Sequence, residues 1–400
     1  MRRGVLAVSM VLTAGCGAGD ESAVDARSVE SILQPQQIVA IELSPADAVL
    51  AAKFTGVSSV RELSTGRILV TDERENSIVL ADFRMENTAL IGRRGRGPEE
   101  YGHVGRLWPL AGDSSLMYDR FQGRWLLFSG ARIIGTISAS DDAVRATRSE
   151  RILGADTAHV IATVFPRSRA LPTTDSADIV RVRRSDGHSE TISRAMPFND
   201  GMPLKFSVAG AAGAAAAEKT TYVMSLIVND QVAHFTDGWT AIARHNPYRV
   251  DWCPPEGKCI PGPVLESPRP MTDTEKRAHL AVAEEMMGWP HTKSVDETDD
   301  SWPKLVPPFV EPMKVVDASP VYPLPDGRLL VERFPTGVPQ WTYDVVDRRG
   351  VIVGRLTLPR GERIVAIGKS SIYTVVRDEF ELEELRRHPW LTKPLPIERE

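Results

Sequence analysis

Cysteine is the scarcest reactive group in this 400-residue sequence, which carries Cys16, Cys253 and Cys259. Cys253 and Cys259 flank Pro254-Pro255-Glu256-Gly257, a turn sequence, so two adjacent strands would bring them face to face at disulfide distance. A zinc pair is disfavoured, because no Cys or His doublet stands near and His245 is alone. The eight histidines (His103, His159, His188, His234, His245, His279, His291, His388) form no HxH, HxxxH or HExxH spacing, and the chain has no GxSxG elbow. Asp296, Glu297, Asp299 and Asp300 are acidic but lack the spacing and the glycine of an EF-hand, so they read as a solvated loop. The run Gly92 to Gly97 is glycine-rich without the Lys-Ser/Thr of a phosphate cradle, and reads as a turn. Arg93, Arg94 and Arg96, with Arg106, form a candidate basic patch for an anionic ligand; the competing reading is a solvated loop paired to Glu99 and Glu100. Trp289, His291 and Trp302 are a candidate aromatic contact for glycan or peptide, or else pins for a local insertion. No catalytic set is legible.

The elements that must position these residues are mostly strands. Hydrophobic residues at 42% and charged residues at 25% are ordinary for a globular chain and exclude wholesale disorder. Gly (30) and Pro (29) are abundant, which predicts many turns and few long helices. The net charge of −5 is mildly acidic and argues against a nucleic-acid partner.

One phrase recurs. Gly66-Arg67-Ile68-Leu69-Val70-Thr71-Asp72 is a turn followed by a β-rich run. Gly327-Arg328-Leu329-Leu330-Val331-Glu332 nearly repeats it, and Ser115-Leu116-Met117-Tyr118-Asp119 is a looser copy. Asp72 and Asp119 are separated by one blade-length, about 40–50 residues. A strand–turn–strand phrase follows each first one: Ile78 to Ile91, Trp125 to Ile137, Ile179 to Ile192, Tyr248 to Ile260 and Tyr343 to Leu356. A four-stranded blade has two apolar faces it cannot bury alone, and radial stacking buries them. The expected fold is all-β, a six-bladed β-propeller with one helical insertion and N- and C-terminal strands closing one blade. The blades are expected at 54–92, 103–138, 150–195, 220–265, 314–358, and 362–390 joined by the N-terminal strand 37–43. A β-sandwich pair or a seven-bladed ring is the alternative.

Two segments interrupt the pattern. Ala209 to Ala217 is low in complexity and reads as a loop. Thr272 to Met287 reads as a helix, with Thr272 and Glu275 as a capping box and Gly288 and Pro290 as its stop, inside an insertion at 267–312.

The N-terminus carries an address. Arg2 and Arg3 precede the apolar run Val5 to Ala14, which is too short to span a bilayer and reads as a signal-peptide core. Leu12-Thr13-Ala14-Gly15-Cys16 resembles a bacterial lipobox, with Thr13 where Leu is usual. The resemblance implies cleavage after residue 15 and lipid on the Cys16 thiol; an ordinary secretory signal is the alternative. Residues 16–35 read as a flexible tether, 36–392 as the propeller and 393–400 as a disordered tail. Cleavage removes two basic residues and no acid, leaving the remainder more acidic.

Three stretches resemble a group of bacterial six-bladed β-propellers related to NHL-repeat propellers, many of them secreted or lipid-anchored. Ile91-Gly92-Arg93-Arg94-Gly95-Arg96-Gly97-Pro98-Glu99-Glu100-Tyr101 is similar to that group's G-R-x-G-x-G-P-G-E-F blade connection, with Glu99 and Tyr101 as departures. The segment from Thr274-Glu275-Lys276 to Pro307-Pro308-Phe309 and the strand Ile372 to Glu379 carry the rest. The resemblance implies a fold and a cell-envelope address, not a reaction. The functional expectation is a lipid-anchored, extracytoplasmic, monomeric binding module for a protein, peptide or glycan. It has no nucleic-acid partner, touches the membrane only through its lipid, and has no cofactor; Ca²⁺ in the central channel has no motif behind it. The alternatives are a metal-dependent, lactonase-like hydrolase with its site in the central channel, and a structural envelope component.

Overall fold

Strand-rich repeats with glycine turns fold here as the phrase demands. In the shared Gly-Arg phrase, Gly66 (φ +79°) and Gly327 (φ +86°) take the left-handed backbone of the turn between a blade's first and second strands. The runs that follow are buried throughout: Ile68 to Asp72, and Leu329 to Glu332. The computed structural model describes residues 38–390 apart from 86, 139–150, 165–175, 196–201, 209–219, 227–228, 267–268, 279–305, 307, 310–319 and 335–339.

The chain begins with β1 (Val39–Glu42) and β2 (Ala48–Phe54). Blade 1 is β3 (Val57–Glu62), β4 (Ile68–Asp72), β5 (Ser77–Ala81) and β6 (Ala89–Leu90). A connection holding the short parallel pair β7 (Arg93–Arg94) and β8 (Glu100–Tyr101) leads to blade 2: β9 (Leu107–Pro109), β10 (Ser114–Asp119), β11 (Arg124–Ser129) and β12 (Arg132–Ser138). Blade 3 is β13 (Arg151–Ala155), β14 (His159–Val164), β15 (Ala177–Arg183) and β16 (Ser189–Ala195). A separate hairpin, β17 (Met202–Val208) with β18 (Thr220–Leu226), precedes blade 4: β19 (Gln231–His234), β20 (Thr240–His245) and β21 (Tyr248–Cys253), whose outer edge is bridged by Ile260 and Glu266. Blade 5 is β22 (Val321–Pro323), β23 (Leu329–Glu332), β24 (Thr342–Val346) and β25 (Ile352–Thr357). Blade 6 is β26 (Glu362–Ile367), β27 (Ser371–Arg377) and β28 (Glu383–Pro389).

The first strands β3, β9, β13, β19, β22 and β26 touch in that order, and β26 returns to β3. The fold is a closed six-bladed β-propeller. Its core lies between blades: each neighbouring pair shares one apolar cluster, such as Leu69, Ile78, Met117, Leu126 and Phe128 between blades 1 and 2. Fully burying each such side chain contributes about 1.5–3 kcal/mol, which is what drives the stacking.

The ring closes with a strand from each chain end, but not with the expected one. β2 pairs antiparallel with β28 and completes blade 6. Residues 39–42 of the expected closing strand instead form β1, which lies parallel to β25 as a fifth strand of blade 5. Gly354 permits this approach, since a Cβ there would crowd Ile41. Blade 4 starts at Gln231, not at residue 220 as expected. The Thr220–Leu226 run pairs with its sequence neighbour β17 instead.

Asp72 and Asp119, the repeated acids, staple each blade to the connection that enters it. Thr55 N–H donates to Asp72 Oδ2 (2.7 Å), and Gly102 N–H to Asp119 Oδ2 (2.7 Å); both carboxylates also accept amides of their own turn. The capping box forms: Thr272 N–H donates to Glu275 Oε2 (2.9 Å) and Glu275 N–H to Thr272 Oγ1 (3.3 Å). The described helix spans 273–278; the rest of the expected helix and the Ala209 to Ala217 run lie outside the described residues. Among the described residues no helix is long and apolar enough to cross a membrane.

Candidate functional site

Alternating strand direction puts the turns after each first and third strand on one face of the ring. The turns after each second strand and the blade-to-blade connections lie on the other. At the first of these faces lies a cavity of about 440 Å³ walled by residues of all six first strands and of the turns that follow them in blades 2, 4, 5 and 6. That volume is within the range of small-molecule sites. Blade 1 contributes Arg61 and Glu62 at the end of β3. Blade 2 contributes Trp108 and the turn Leu110 to Gly112. Blade 4 contributes His234 and the turn through Asp237. Blade 5 adds Leu324 and Pro325, and blade 6 adds Lys369.

The rim is fixed by contacts between turns. Ser64 N–H and Oγ–H donate to the Asp113 carboxylate (2.7 and 2.6 Å), joining blades 1 and 2, and these bonds hold Asp113 below the usual carboxylate range. Lys369 N–H donates to Glu62 Oε2 (3.2 Å), joining blades 6 and 1. Arg348 pairs with Asp237 and lies 4.7 Å from the Trp239 ring centroid, joining blades 5 and 4.

Arg61 is held in place by neutral acceptors. Its Nε donates to Ser115 Oγ (3.2 Å), Nη1 to the Glu62 carbonyl (3.0 Å) and Nη2 to the Gly112 carbonyl (2.6 Å). Burial pulls its pKa below the ordinary arginine value, more than Asp113 and Glu62 raise it. Arg106 lies over the Trp108 ring at 4.9 Å.

His234 borders the cavity, and its ring is held by two partners. Its Nε2 is 2.9 Å from Asp156 Oδ2 and its Nδ1 is 2.9 Å from Thr240 Oγ1, and its side chain is 1% exposed. Burial works against the Asp156 charge, but the His234 contact and the amides of His159 and Ala158 bring its pKa down to about 2. Gly154 makes room for this histidine, since a Cβ there would overlap the His234 Cβ. Among the described residues no group of three or more His, Cys, Asp or Glu side chains could hold a metal ion.

Arg93, Arg94 and Arg96 lie on the connection from blade 1 to blade 2, on the opposite side of the ring, and do not wall the cavity; Arg106 does. Arg93 Nε donates to Glu100 Oε1 (2.7 Å). Cys253 and Cys259 form a disulfide. The buried Arg181 of blade 3 donates to the Pro254 carbonyl (2.6 Å) and to that of Pro255, locking the disulfide loop to its neighbour. Cys16, Trp289, His291, Trp302 and the acidic run 296–300 lie outside the described residues. Sequence reasoning missed Arg61, Trp108 and Lys369. Their only shared signal is position, at or just after the end of the first strand of a repeat.

The chain matches no protein-family model and no curated protein. Solved structures do resemble it. A member of the DUF4221 family from Bacteroides vulgatus is 10% identical, with a TM-score of 0.44 over 86% of this chain and 97% of that one. Virginiamycin B lyase from Staphylococcus aureus is 10% identical, with a TM-score of 0.38 over 85% and 97%. A gluconolactonase from Xanthomonas campestris is 7% identical, with a TM-score of 0.38 over 89% and 99%. The assignment to the six-bladed β-propellers rests on the strand order and ring closure described above.

Proposed function

We propose that this protein is a lipid-anchored, extracytoplasmic propeller that binds a peptide, glycan or protein segment without catalysis, using the channel mouth on the face of the first-strand turns. One observation carries the reading: a cavity of about 440 Å³ combines an aromatic wall at Trp108 with charged side chains already fixed by contacts between blades. A preformed, partly apolar recess with a few convergent polar groups is the geometry of a binding site. The histidine in its wall is 1% exposed, so its ring offers no open surface to a ligand in the cavity.

Peptide and glycan arrays probed with the mature protein and with Ala111→Trp test this. Ala111 is an exposed residue on the cavity rim, so a tryptophan there fills the mouth without disturbing the core. Signals on the native protein should fall at least about tenfold in the variant, equivalent to about 1.4 kcal/mol. Signals that survive unchanged would move binding elsewhere. The anchor is tested separately: Cys16→Ser should shift the protein from the membrane fraction to the soluble one, and unchanged fractionation would refute lipidation.

A further inference from the structure

We infer that the channel mouth takes a ligand bearing a carboxylate, received by Arg61 with Lys369 beside it, while the ligand's ring or apolar body lies on Trp108. This rests on the binding reading above and specifies its ligand.

The charged side chains in the wall are Arg61, Glu62, Arg106, Asp237 and Lys369, with Arg106 lying over Trp108. Two acids border the cavity, and each already has a partner. Asp237 is paired with Arg348, which is itself stacked on Trp239. Glu62 accepts the Lys369 amide. Arg61 is different. Its three hydrogen bonds all go to neutral acceptors, one hydroxyl and two carbonyls. A guanidinium has five N–H donors, so one on Nη1 and one on Nη2 lie outside these bonds. The head is held from three directions and cannot swing to solvent. Paired N–H groups on a rigid guanidinium match the two oxygens of a carboxylate.

The cost of keeping this charge points the same way. Burial lowers the Arg61 pKa more than the nearby acids raise it, so an incoming anion would return part of that cost. Lys369, exposed on the adjoining rim, has an ammonium that makes no hydrogen bond or ion pair among the described residues.

Matched acid–amide pairs isolate the charge from the shape. The probes are glucuronate with glucuronamide and benzoate with benzamide, titrated onto the mature protein and followed by saturation-transfer NMR. At least one acid should bind, with its amide weaker by about tenfold or more. Arg61→Gln should remove that preference and Lys369→Gln should reduce it. Arg61 also ties blade 1 to blade 2, so its loss can loosen the fold; Lys369 is exposed, and its variant keeps the test decisive. Equal binding of acid and amide would overturn the carboxylate inference and leave cavity binding standing. So would array ligands blocked by Ala111→Trp that carry no acid. Acid binding that survives Ala111→Trp and both charge variants would overturn the inference by placing the anion elsewhere.

Discussion

Glu332 ends β23 with its side chain buried, 3% exposed, and the Tyr343 hydroxyl donates to its Oε2 at 3.2 Å. Burial pushes its carboxyl up to about 8, further than the Tyr343 hydrogen bond and the Arg363 charge pull it down. A raised folded pKa means the native state holds a proton that the unfolded chain has already released. The associated stability is complete below about pH 4.5 and is lost as pH rises toward 8. The native protein should lose up to about 1.4 kcal/mol per pH unit across that window. Glu332→Gln keeps the shape and the hydrogen bond but has nothing to ionise, so its unfolding midpoint should be flatter with pH and higher at pH 8. Parallel denaturation curves for the two proteins at pH 5, 6.5 and 8 would contradict this. Arg61 is the same physics with a different outlet: its half-buried charge faces a cavity, and a ligand can compensate it.

At the scale of elements, the glycine-rich connection between blades 1 and 2 is built around one carboxylate. Gly97 N–H donates to Glu100 Oε2 (2.7 Å), Arg93 donates to its other oxygen, and Gly95 N–H donates to the Tyr101 carbonyl (3.0 Å). A Cβ at Gly95 would occupy the place of the Glu100 carboxylate. Gly95→Ala should therefore destabilise the fold by about 1–3 kcal/mol. Gly135→Ala, where the space around a Cβ is open, should stay within about 0.5 kcal/mol. Equal unfolding midpoints for the two variants would show that the connection does not need Glu100. Much at this scale was legible, because turn glycines followed by β-branched runs announce hairpins. β2 was not: Ala-Val-Leu-Ala-Ala-Lys-Phe has little β propensity, and only Leu50 and Phe54 of it are buried, against the last blade. A strand whose partner lies more than 300 residues away cannot announce itself through local pattern.

At the scale of the molecule, the ring makes a site that no segment contains. Arg61, Trp108, His234, Leu324 and Lys369 come from five blades, each a single residue with no motif around it. Only closure of β26 onto β3 brings them to one mouth. The blade count was readable from the repeat, whereas the cavity was not, because the inner strands differ in sequence where they face the channel. The two faces of the ring also differ. One carries the cavity and its stapled turns; the other carries the blade connections and the exposed Phe121 and Phe380. Hydrogen–deuterium exchange of the mature protein, with and without the strongest array ligand, distinguishes them most directly. Binding at the channel mouth predicts protection in the turns 63–67, 110–113, 235–238, 324–327 and 368–370. Protection confined to the turns around Phe121 and Phe380, with those five unchanged, would contradict it.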